Sequence, residues 1–324
     1  DFGSCAFTFF ATSSPNYFGK YFRLFTKQGS VATNDELDNC LRGGEPYLAS
    51  TYEIRRIPGS RIAYWATDNL KSIFEKCPSL SSVSNVVVGL QTGDNDQFIR
   101  LWHEVSVQNV SFSASSKAAA LTSAKKWFPY NKGGEYRKWY GNQDYLVNWS
   151  KDGLEIKSCG TENGGRAKSR PQNSGFYFKK SISWSFTSAS YFGVRFYPDG
   201  FIFDVAGSSV FPEKQENFFG ILAFLCSKVA PNIMSMLNPS LSFQAGNVAE
   251  LPYVQKNVDE IAKEAIYLCK WDWDSREISW NFPGPYLIGA TEEKWSIEAA
   301  WHELRELVQQ CRSQLSAVEV ANNK

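Results

Sequence analysis

The chain has 324 residues, of which 43% are hydrophobic and 15% aromatic, and its formal net charge is only +1. This composition argues against a disordered chain, and the length favours two or three domains. The charge is unevenly distributed: the net charge is −1 in residues 1–116, +8 in residues 117–180 and −6 in residues 181–324. Because a local excess of positive charge attracts nucleic acid, we expect a nucleic-acid surface in the central basic block, residues 117–180.

The cysteines argue against a zinc site and against a disulfide framework. The seven of them, at positions 5, 40, 77, 159, 226, 269 and 311, are widely spaced and include no Cys-x-x-Cys pair. We therefore expect a reduced, cytoplasmic protein. The chain begins at Asp1 and not at Met, so we expect a fragment of a longer protein. The longest apolar run, residues 218–237, is interrupted by Lys228, Pro231 and Asn232, which favours a buried helix over a membrane span.

The first part of the chain predicts short aromatic strands at 3–10 and 19–25, a polar connector at 26–60 and a helix at 69–76. A strand is predicted at 83–88, followed by the loop GLQTGDNDQF at 89–98. Glycines in that loop permit close backbone approach, so Thr92, Gly93 and Asn95 are candidates for contact with a phosphate or a base edge. The alternative is a structural turn whose Asp and Asn side chains satisfy nearby backbone groups.

The densest pattern lies at 125–149, KKWFPYNKGGEYRKWYGNQDYLVNW, where cations alternate with aromatic rings. Cations neutralise phosphates, and rings stack on bases or line the sugar-phosphate wall. The candidate phosphate contacts, with a glycine hinge among them, are Lys125, Lys126, Lys132, Gly133, Gly134, Arg137 and Lys138. The rings expected to shape the DNA path or to stack on it are Trp127, Tyr130, Trp139 and Tyr140. The alternative is a half-buried aromatic cluster rimmed by solvated lysines, with Tyr145 and Trp149 in the core.

The loop at 160–174 is rich in Gly, Asn, Arg and Lys. Arginine can pair with guanine and asparagine with adenine in the major groove. The candidate base readers in the chain are therefore Thr92, Asn95, Asn142, Arg166, Arg170 and Asn173, with Lys168 beside them. The alternative is a flexible charged loop.

The rest of the sequence predicts an α+β fold: a mixed-sheet domain followed by a helical C-terminal extension. Further strands are predicted at 145–149, 153–157, 182–186, 194–197 and 201–205. The sequence Pro-Asp-Gly at 198–200 predicts a hairpin between the last two strands. Helices are predicted at 217–228, 257–270 and 292–315, the last one amphipathic.

Catalytic patterns are absent from the sequence. An adenine methyltransferase needs an Asn/Asp-Pro-Pro-Tyr/Phe box to hold the amine of the flipped base, and residues 238–240 lack both the second proline and the aromatic residue. No Gly-x-Gly follows a predicted strand, and no phosphate-binding loop of the type Gly-x-x-x-x-Gly-Lys-Ser/Thr is present. His103 and His302 have no nucleophile or carboxylate pattern beside them. We therefore expect no catalytic residue, no metal ligand and no cofactor-binding residue in this chain.

Six stretches carry a resemblance to a known family: GLQTGDNDQFIRLWHEV, KKWFPYNKGGEYRKWYGNQDYLVNW, YPDGFIFDVAGSSVF, FFGILAFLCSKVA, LSFQAGNVAELPY and WDWDSREISWNF. In order and spacing they resemble the C-terminal half of the BREX-type, PglX-like adenine-specific DNA methyltransferases. The Thr-Gly-x-Asn loop and the Leu-Pro at 251–252 are also similar to the target-recognition domains of type I specificity subunits and fused restriction-methylases.

The resemblance implies three segments: a remnant of the methyltransferase domain with a connector at 1–78, a DNA target-recognition domain at 79–254 and a helical extension at 255–324. It implies that the full-length protein methylates adenine N6 with S-adenosylmethionine as part of a phage-defence, restriction-modification-like system. The catalytic domain would lie upstream of Asp1, so this chain alone is expected to bind DNA and to be inactive as an enzyme.

The partners that the resemblance implies are double-stranded DNA, the upstream methyltransferase domain, other defence-system subunits and DNA-mimic inhibitor proteins. Three alternatives remain open from the sequence. They are a stand-alone specificity subunit of a type I restriction-modification system, an active enzyme with a divergent site, and a protein-interaction scaffold of the defence complex.

Overall fold

The computed structural model of the chain describes residues 5–12, 14, 17–24, 33–161, 164–188, 191–238, 240–288 and 296–324. The chain divides into two compact units, Asp1–Pro78 and Ser79–Lys324. The helices that follow residue 254 belong to the second unit.

The first unit is small and built from short elements. They are the strands β1 (Phe18–Tyr21) and β2 (Tyr47–Ser50) and the helices α1 (Asn34–Gly43), α2 (Thr51–Arg55) and α3 (Asp68–Lys76). β1 and β2 pair in the antiparallel sense. Capping boxes begin α1 and α2, in which Thr33 and Ser50 exchange hydrogen bonds with Glu36 and Glu53.

The sequence predictions for the first unit are partly correct. The helix predicted at 69–76 is confirmed as α3, and the strand predicted at 19–25 is found earlier, as β1. The strand predicted at 3–10 is wrong for residues 5–10, which have no regular structure, while residues 3, 4 and 25 lie outside the described part. The connector predicted at 26–60 is wrong from residue 33 onward, because the two capping boxes start helices there.

The second unit contains a mixed sheet, an antiparallel sheet and a two-stranded ribbon. Its strands are β3 (Ser84–Val87), β4 (Leu90–Gln91), β5 (Ile99–Leu101), β6 (Trp127–Asn131), β7 (Tyr145–Asn148), β8 (Arg170–Pro171), β9 (Ser181–Trp184), β10 (Val194–Tyr197), β11 (Ile202–Phe203) and β12 (Ser209–Pro212). The mixed sheet has the order β11-β6-β7-β5, with β11 parallel to β6. The antiparallel sheet has the order β10-β9-β12-β3, and β4 pairs with β8.

Helices fill the spaces between and after these strands. They are α4 (Asn95–Phe98), α5 (Lys117–Thr122), α6 (Ser150–Ser158), α7 (Phe218–Leu225), α8 (Val229–Leu237), α9 (Ala245–Ala249), α10 (Asp259–Asp274) and α11 (Ile297–Asn322). α7 is buried on most sides, and α10 packs against both α7 and α11. The predicted α+β class with a C-terminal helical extension is confirmed.

Most predicted elements of the second unit are found near their expected positions. The helix predicted at 292–315 is α11, although residues 292–295 lie outside the described part. The strand predicted at 153–157 is wrong: these residues belong to α6, which has left-handed residues at 151–153 near its start and buries Ile156. The hairpin predicted at 198–200 is also wrong, because β10 pairs with β9 and β11 pairs with β6, so this turn connects the two sheets.

The core of the second unit is aromatic. Rings from the mixed sheet meet rings from the segments around it, and the fully buried side chains include Tyr130, Phe128, Trp149, Phe178 and Phe203. Edge-to-face contacts such as Phe128–Phe178, with ring centroids 5.6 Å apart, orient these rings. Such packing fixes the strand ends from which the loops project.

Within the described ranges, no single helix has the length and apolar character needed to cross a membrane. The segments Gln215–Leu225 and Val229–Leu237 pass this test only as a pair, and they are bent by 78° relative to each other.

Gly89, at the start of the 89–98 loop, has no room for a side chain. A Cβ atom there would lie 1.9 Å from the carbonyl oxygen of Phe203, which is backbone and cannot rotate away. We expect Gly89→Ala to lower the free energy of unfolding by about 2–3 kcal/mol, as overpacking does. Urea-induced unfolding measures this change.

Gly175→Ala is the matched control, because nothing lies within 4 Å of a Cβ atom at that position. It should change the free energy of unfolding by less than about 1 kcal/mol. Equal stability of the two variants would contradict the close approach of the 89–98 loop to β11.

Candidate nucleic-acid interface

The structure brings two of the predicted DNA-contacting loops side by side. β4 and β8 pair through Leu90–Pro171 and Gln91–Arg170, so residues 89–98 run alongside residues 164–173. A Cβ atom on Gly93 would lie 2.6 Å from the carbonyl carbon of Lys168. We call this pair of segments the loop edge. Its candidate residues are Thr92, Gly93, Asn95, Arg166, Lys168, Arg170 and Asn173.

One segment of the loop edge, residues 164–173, carries three cations without ion-pair partners in the described chain, while Asp94 and Asp96 lie on the other segment. Arg166, Lys168 and Arg170 are exposed, and none of the three forms an ion pair within the described part of the chain. Exposed guanidinium and ammonium groups without carboxylate partners are available to phosphates or to base edges.

The polar side chains of the loop edge also hold the two segments together. The Asn173 amide donates to the carbonyl of Val88 at 2.9 Å. The Thr92 hydroxyl is buried and donates to Asn95 Oδ1 at 2.6 Å. This bond occupies the oxygen of the Asn95 amide, and because Asn95 is exposed, its amide N–H groups remain as donors. Thr92 and Asn173 therefore support the edge.

The beginning of the 125–149 segment lies beside the mixed sheet. The Lys125 ammonium donates to the carbonyl of Gln108, and the Lys126 ammonium lies 3.8 Å from a Glu155 carboxylate oxygen. Trp127 is buried in β6, and the Lys126 ammonium lies 5.9 Å from the centre of its ring. The structure thus gives both lysines local partners and places the tryptophan in the sheet.

A buried carboxylate connects β6 to the loop edge. The Tyr130 hydroxyl donates to Asp204 Oδ2 at 2.6 Å and lies 3.2 Å from the carbonyl oxygen of Leu90. The Lys132 ammonium lies 3.7 Å from the same carboxylate oxygen, and the Ala206 amide donates to the other oxygen at 2.7 Å. Burial, and then the negative charge of Asp204, raise the pKa of Tyr130 well above its usual value, so the phenol stays protonated as the donor.

The Gly133–Gly134 segment is tightly held, although the sequence predicts a hinge there. Both glycines have positive φ, and a Cβ atom on Gly133 would lie 2.5 Å from the Ala206 carbonyl oxygen. The Asn142 amide donates to the carbonyls of Gly133 and Glu135 at 3.1 and 2.7 Å. Asn142, predicted as a base reader, therefore has its amide N–H groups committed to the backbone.

Arg195 supports the same segment from beneath. It is fully buried, and its guanidinium donates to the carbonyls of Gly133 at 3.1 Å and Arg137 at 3.3 Å. No carboxylate among the described residues forms an ion pair with it. Burial raises the pKa of the nearby Asp144 carboxyl, and the positive charges of Arg137 and Arg195 oppose that rise.

The C-terminal helices occupy the other predicted phosphate contacts. The Lys138 ammonium donates to both carboxylate oxygens of Glu319 at 2.5 and 2.6 Å, and the Trp139 indole N–H donates to the same carboxylate at 2.6 Å. Arg137 pairs with Asp272 at 3.2 Å, and its guanidinium carbon lies 4.7 Å from the centre of the Trp273 ring.

This arrangement changes the roles of the predicted residues. Arg137 and Lys138 have acidic partners in α10 and α11, so they are not free to meet phosphate in this conformation. Tyr130, Trp139 and Tyr140 are buried, so their rings can shape the surface from below but offer no exposed face for stacking.

Three residues that organise this surface were not predicted from the sequence: Arg195, Asp204 and Glu319. Asp204 lies in the stretch YPDGFIFDVAGSSVF, so the family resemblance of that stretch could have marked it as a candidate. Glu319 had no local signal, since the residues it contacts are about 180 positions away.

Comparisons with known proteins identify relatives of the chain. No family model matches it. It is 35% identical over 285 residues to the adenine-specific methyltransferase PglX of Lacticaseibacillus casei (strain Zhang), a match that covers 86% of this chain and 24% of the relative. It is 36% identical over 274 residues to the adenine-specific methyltransferase BrxX of Escherichia coli O9:H4 (strain HS), covering 83% of this chain and 21% of the relative. The chain thus spans less than a quarter of the length of these curated relatives.

Charge reversal tests the pairing of Lys138 with Glu319. Both side chains are mostly buried, so Lys138→Glu alone should lower the free energy of unfolding by about 1–2 kcal/mol by placing two carboxylates together. Adding Glu319→Lys should restore a large part of the loss, although the Trp139 N–H then lacks its acceptor. A double-mutant cycle in urea measures the coupling.

The exposed pair Lys263–Glu260 is the control for that cycle, since its carboxylate is 88% exposed. The same reversal there should show a coupling below about 0.5 kcal/mol. If the Lys138–Glu319 coupling were as small as in the control, Lys138 would be free for phosphate, as the sequence predicts.

Proposed function

We propose that the second unit of the chain recognises duplex DNA for a methyltransferase domain. The proposal follows because the chain corresponds to the C-terminal part of PglX-like adenine-specific methyltransferases. The curated relatives are named for adenine-specific methylation, a reaction that requires one base to be selected among many. The selection needs a surface that holds the duplex in register and reads base edges, separate from the group that transfers the methyl. Duplex DNA is accordingly the substrate class, and the cytoplasm the location, that we assign to the chain.

The loop edge is the observation that carries this proposal. It presents the exposed side chains of Arg166, Lys168 and Arg170 without ion-pair partners in the described residues, next to the exposed Asn95, whose amide oxygen is occupied by Thr92. A guanidinium group can form two hydrogen bonds with the edge of guanine, and a side-chain amide can form two with the edge of adenine. The DNA surface that we propose is therefore centred on the loop edge, with Lys132 at its side, and not on residues 137–140.

The supporting contacts explain why such a surface can be specific. Reading a base requires side chains fixed to within a fraction of an ångström, and loops provide this only when they are braced. The β4–β8 pairing, the Asn173 bond to Val88 and the Tyr130–Asp204 network brace the loop edge on the mixed sheet. Lys125 has only a backbone carbonyl as partner among the described residues, and the carboxylate contacts of Lys126 and Lys132 are long, at 3.8 and 3.7 Å, so these three lysines would add phosphate contacts beyond it.

Methyl transfer itself is not assigned to this chain. The family uses S-adenosylmethionine, but two pockets among the described residues are lined by charged side chains and contain no glycine, so we assign no residue of this chain to that cofactor. The role proposed here is to bind, orient and select DNA, while a domain from the rest of a PglX-like protein carries out the chemistry.

A salt series tests the electrostatic part of this proposal. Fluorescence anisotropy with a labelled random duplex should show that DNA affinity falls as salt rises, with a log–log slope of about −0.9 per neutralised phosphate. Replacing Arg166, Lys168 and Arg170 by Gln should make the slope shallower by up to about 2.7 and weaken binding at low salt.

The control removes the same charge elsewhere in the second unit, by replacing the exposed residues Lys214, Lys228 and Lys256 with Gln. Its slope should stay close to that of the unaltered chain. Identical slopes for the two triple variants would exclude the loop edge as the DNA surface, and an affinity independent of salt would exclude DNA binding through phosphates altogether.

A further inference from the structure

A pocket of about 350 Å³ opens between the loop edge and Lys132. Ile99, Leu101 and Tyr145 form its apolar floor, and Leu101 and Tyr145 are direct partners in the β5–β7 pairing. Its rim is polar and consists of Asn95, Asp96, Arg100, Glu104 and Lys132. The pocket is near the lower end of the size range for small-ligand sites, which suits one nucleotide and not a base pair.

The rim combines hydrogen-bond donors with acceptors. Asn95 contributes amide N–H groups, because its oxygen accepts from Thr92. Asp96 and Glu104 contribute carboxylates, which disfavour a free phosphate deep in the pocket. The pairing edge of thymine, a ring N–H donor between two carbonyl acceptors, matches such a mixed set of groups.

Lys132 stands at one side of the pocket with its ammonium 3.7 Å from Asp204. The Asp204 carboxylate also accepts hydrogen bonds from the Tyr130 hydroxyl and the Ala206 amide. It therefore orients the Lys132 ammonium while its negative charge is shared among three donors. An ammonium group held in this way can bind the phosphodiester of a nucleotide whose base enters the pocket. The Tyr145 ring in the floor offers a surface on which that base can stack.

We propose that this pocket holds one unpaired nucleotide of the bound DNA, with its base over Tyr145 and its phosphate at Lys132. The inference rests on the proposed function. Enzymes that act on the amine of adenine must take that base out of the stack, which leaves its partner on the opposite strand unpaired. A catalytic domain elsewhere would receive the flipped adenine, and the pocket beside the reading surface would receive the orphaned nucleotide.

Three duplexes of one sequence test the proposal with the full chain: fully paired, with a single extra thymidine nucleotide, and with an abasic site at the same extra position. We expect the unpaired base to tighten binding by about five- to tenfold over both other duplexes, in line with stacking of one base on an aromatic ring.

Variants of Tyr145 separate stacking from a loss of folding. Tyr145→Leu should abolish the preference for the unpaired base, and Tyr145→Phe should keep it, because the ring remains. Tyr136→Leu is the control, since Tyr136 is 40% exposed and packs against Tyr191 outside the pocket. It should keep the full preference, and circular dichroism should show all three variants folded.

The outcomes distinguish this inference from the function on which it rests. Tight, salt-dependent binding of all three duplexes with equal affinity would overturn the pocket and leave DNA recognition standing. Equal affinity for the base-containing and abasic extra nucleotides would also overturn it, because the bend in the DNA and not the base would then be recognised. Failure to bind any duplex would overturn both.

Discussion

The carboxylate of Asp204 is the contact on which the arrangement of the surface depends. It is mostly buried, and it binds Tyr130 from β6, Lys132 from the following loop and the backbone after β11. Since Tyr130 also reaches the carbonyl of Leu90, one carboxylate ties the mixed sheet to the loop edge. A buried charge is tolerable only when it is paired and hydrogen-bonded, and this need forces the groups to converge. The same convergence places Lys132 beside the pocket and the cations of the loop edge.

The distribution of charge in the folded chain differs from its distribution along the sequence. The central basic block has a net charge of +8, and its flank at 181–324 has −6. In the fold, Asp272 and Glu319 of that flank return to Arg137 and Lys138, so part of the block serves to attach the C-terminal helices. The cations of the loop edge are among those left without a carboxylate partner in the described residues. Ion pairs between charges far apart in sequence thus attach the C-terminal helices. The unpaired cations of the loop edge form the surface that we propose for DNA.

Recognition and chemistry are separated in the proposal. The chain spans less than a quarter of its curated relatives, which are named for adenine-specific methylation. A braced reading surface with a pocket for an unpaired nucleotide would hold the duplex in its distorted state while the methyl group is transferred elsewhere. Part of the energy of binding would then be used to keep the target base out of the stack.

The sequence by itself determined the α+β class, most strands and helices of the second unit, the relationship to PglX-like proteins and the segments that hold the polar candidates. These follow from hydrophobic periodicity, turn residues and local charge, which act over a few positions. It failed at α6, where a left-handed turn starts a helix, and at 198–200, where a turn connects two sheets. Only the tertiary structure decided which cations are free. Lys138 and Arg170 look alike in sequence, but one meets Glu319 across 181 positions and the other meets no carboxylate in the described chain. Ion pairs depend on distance in space, and a local pattern carries no information about a partner that the fold brings from far away.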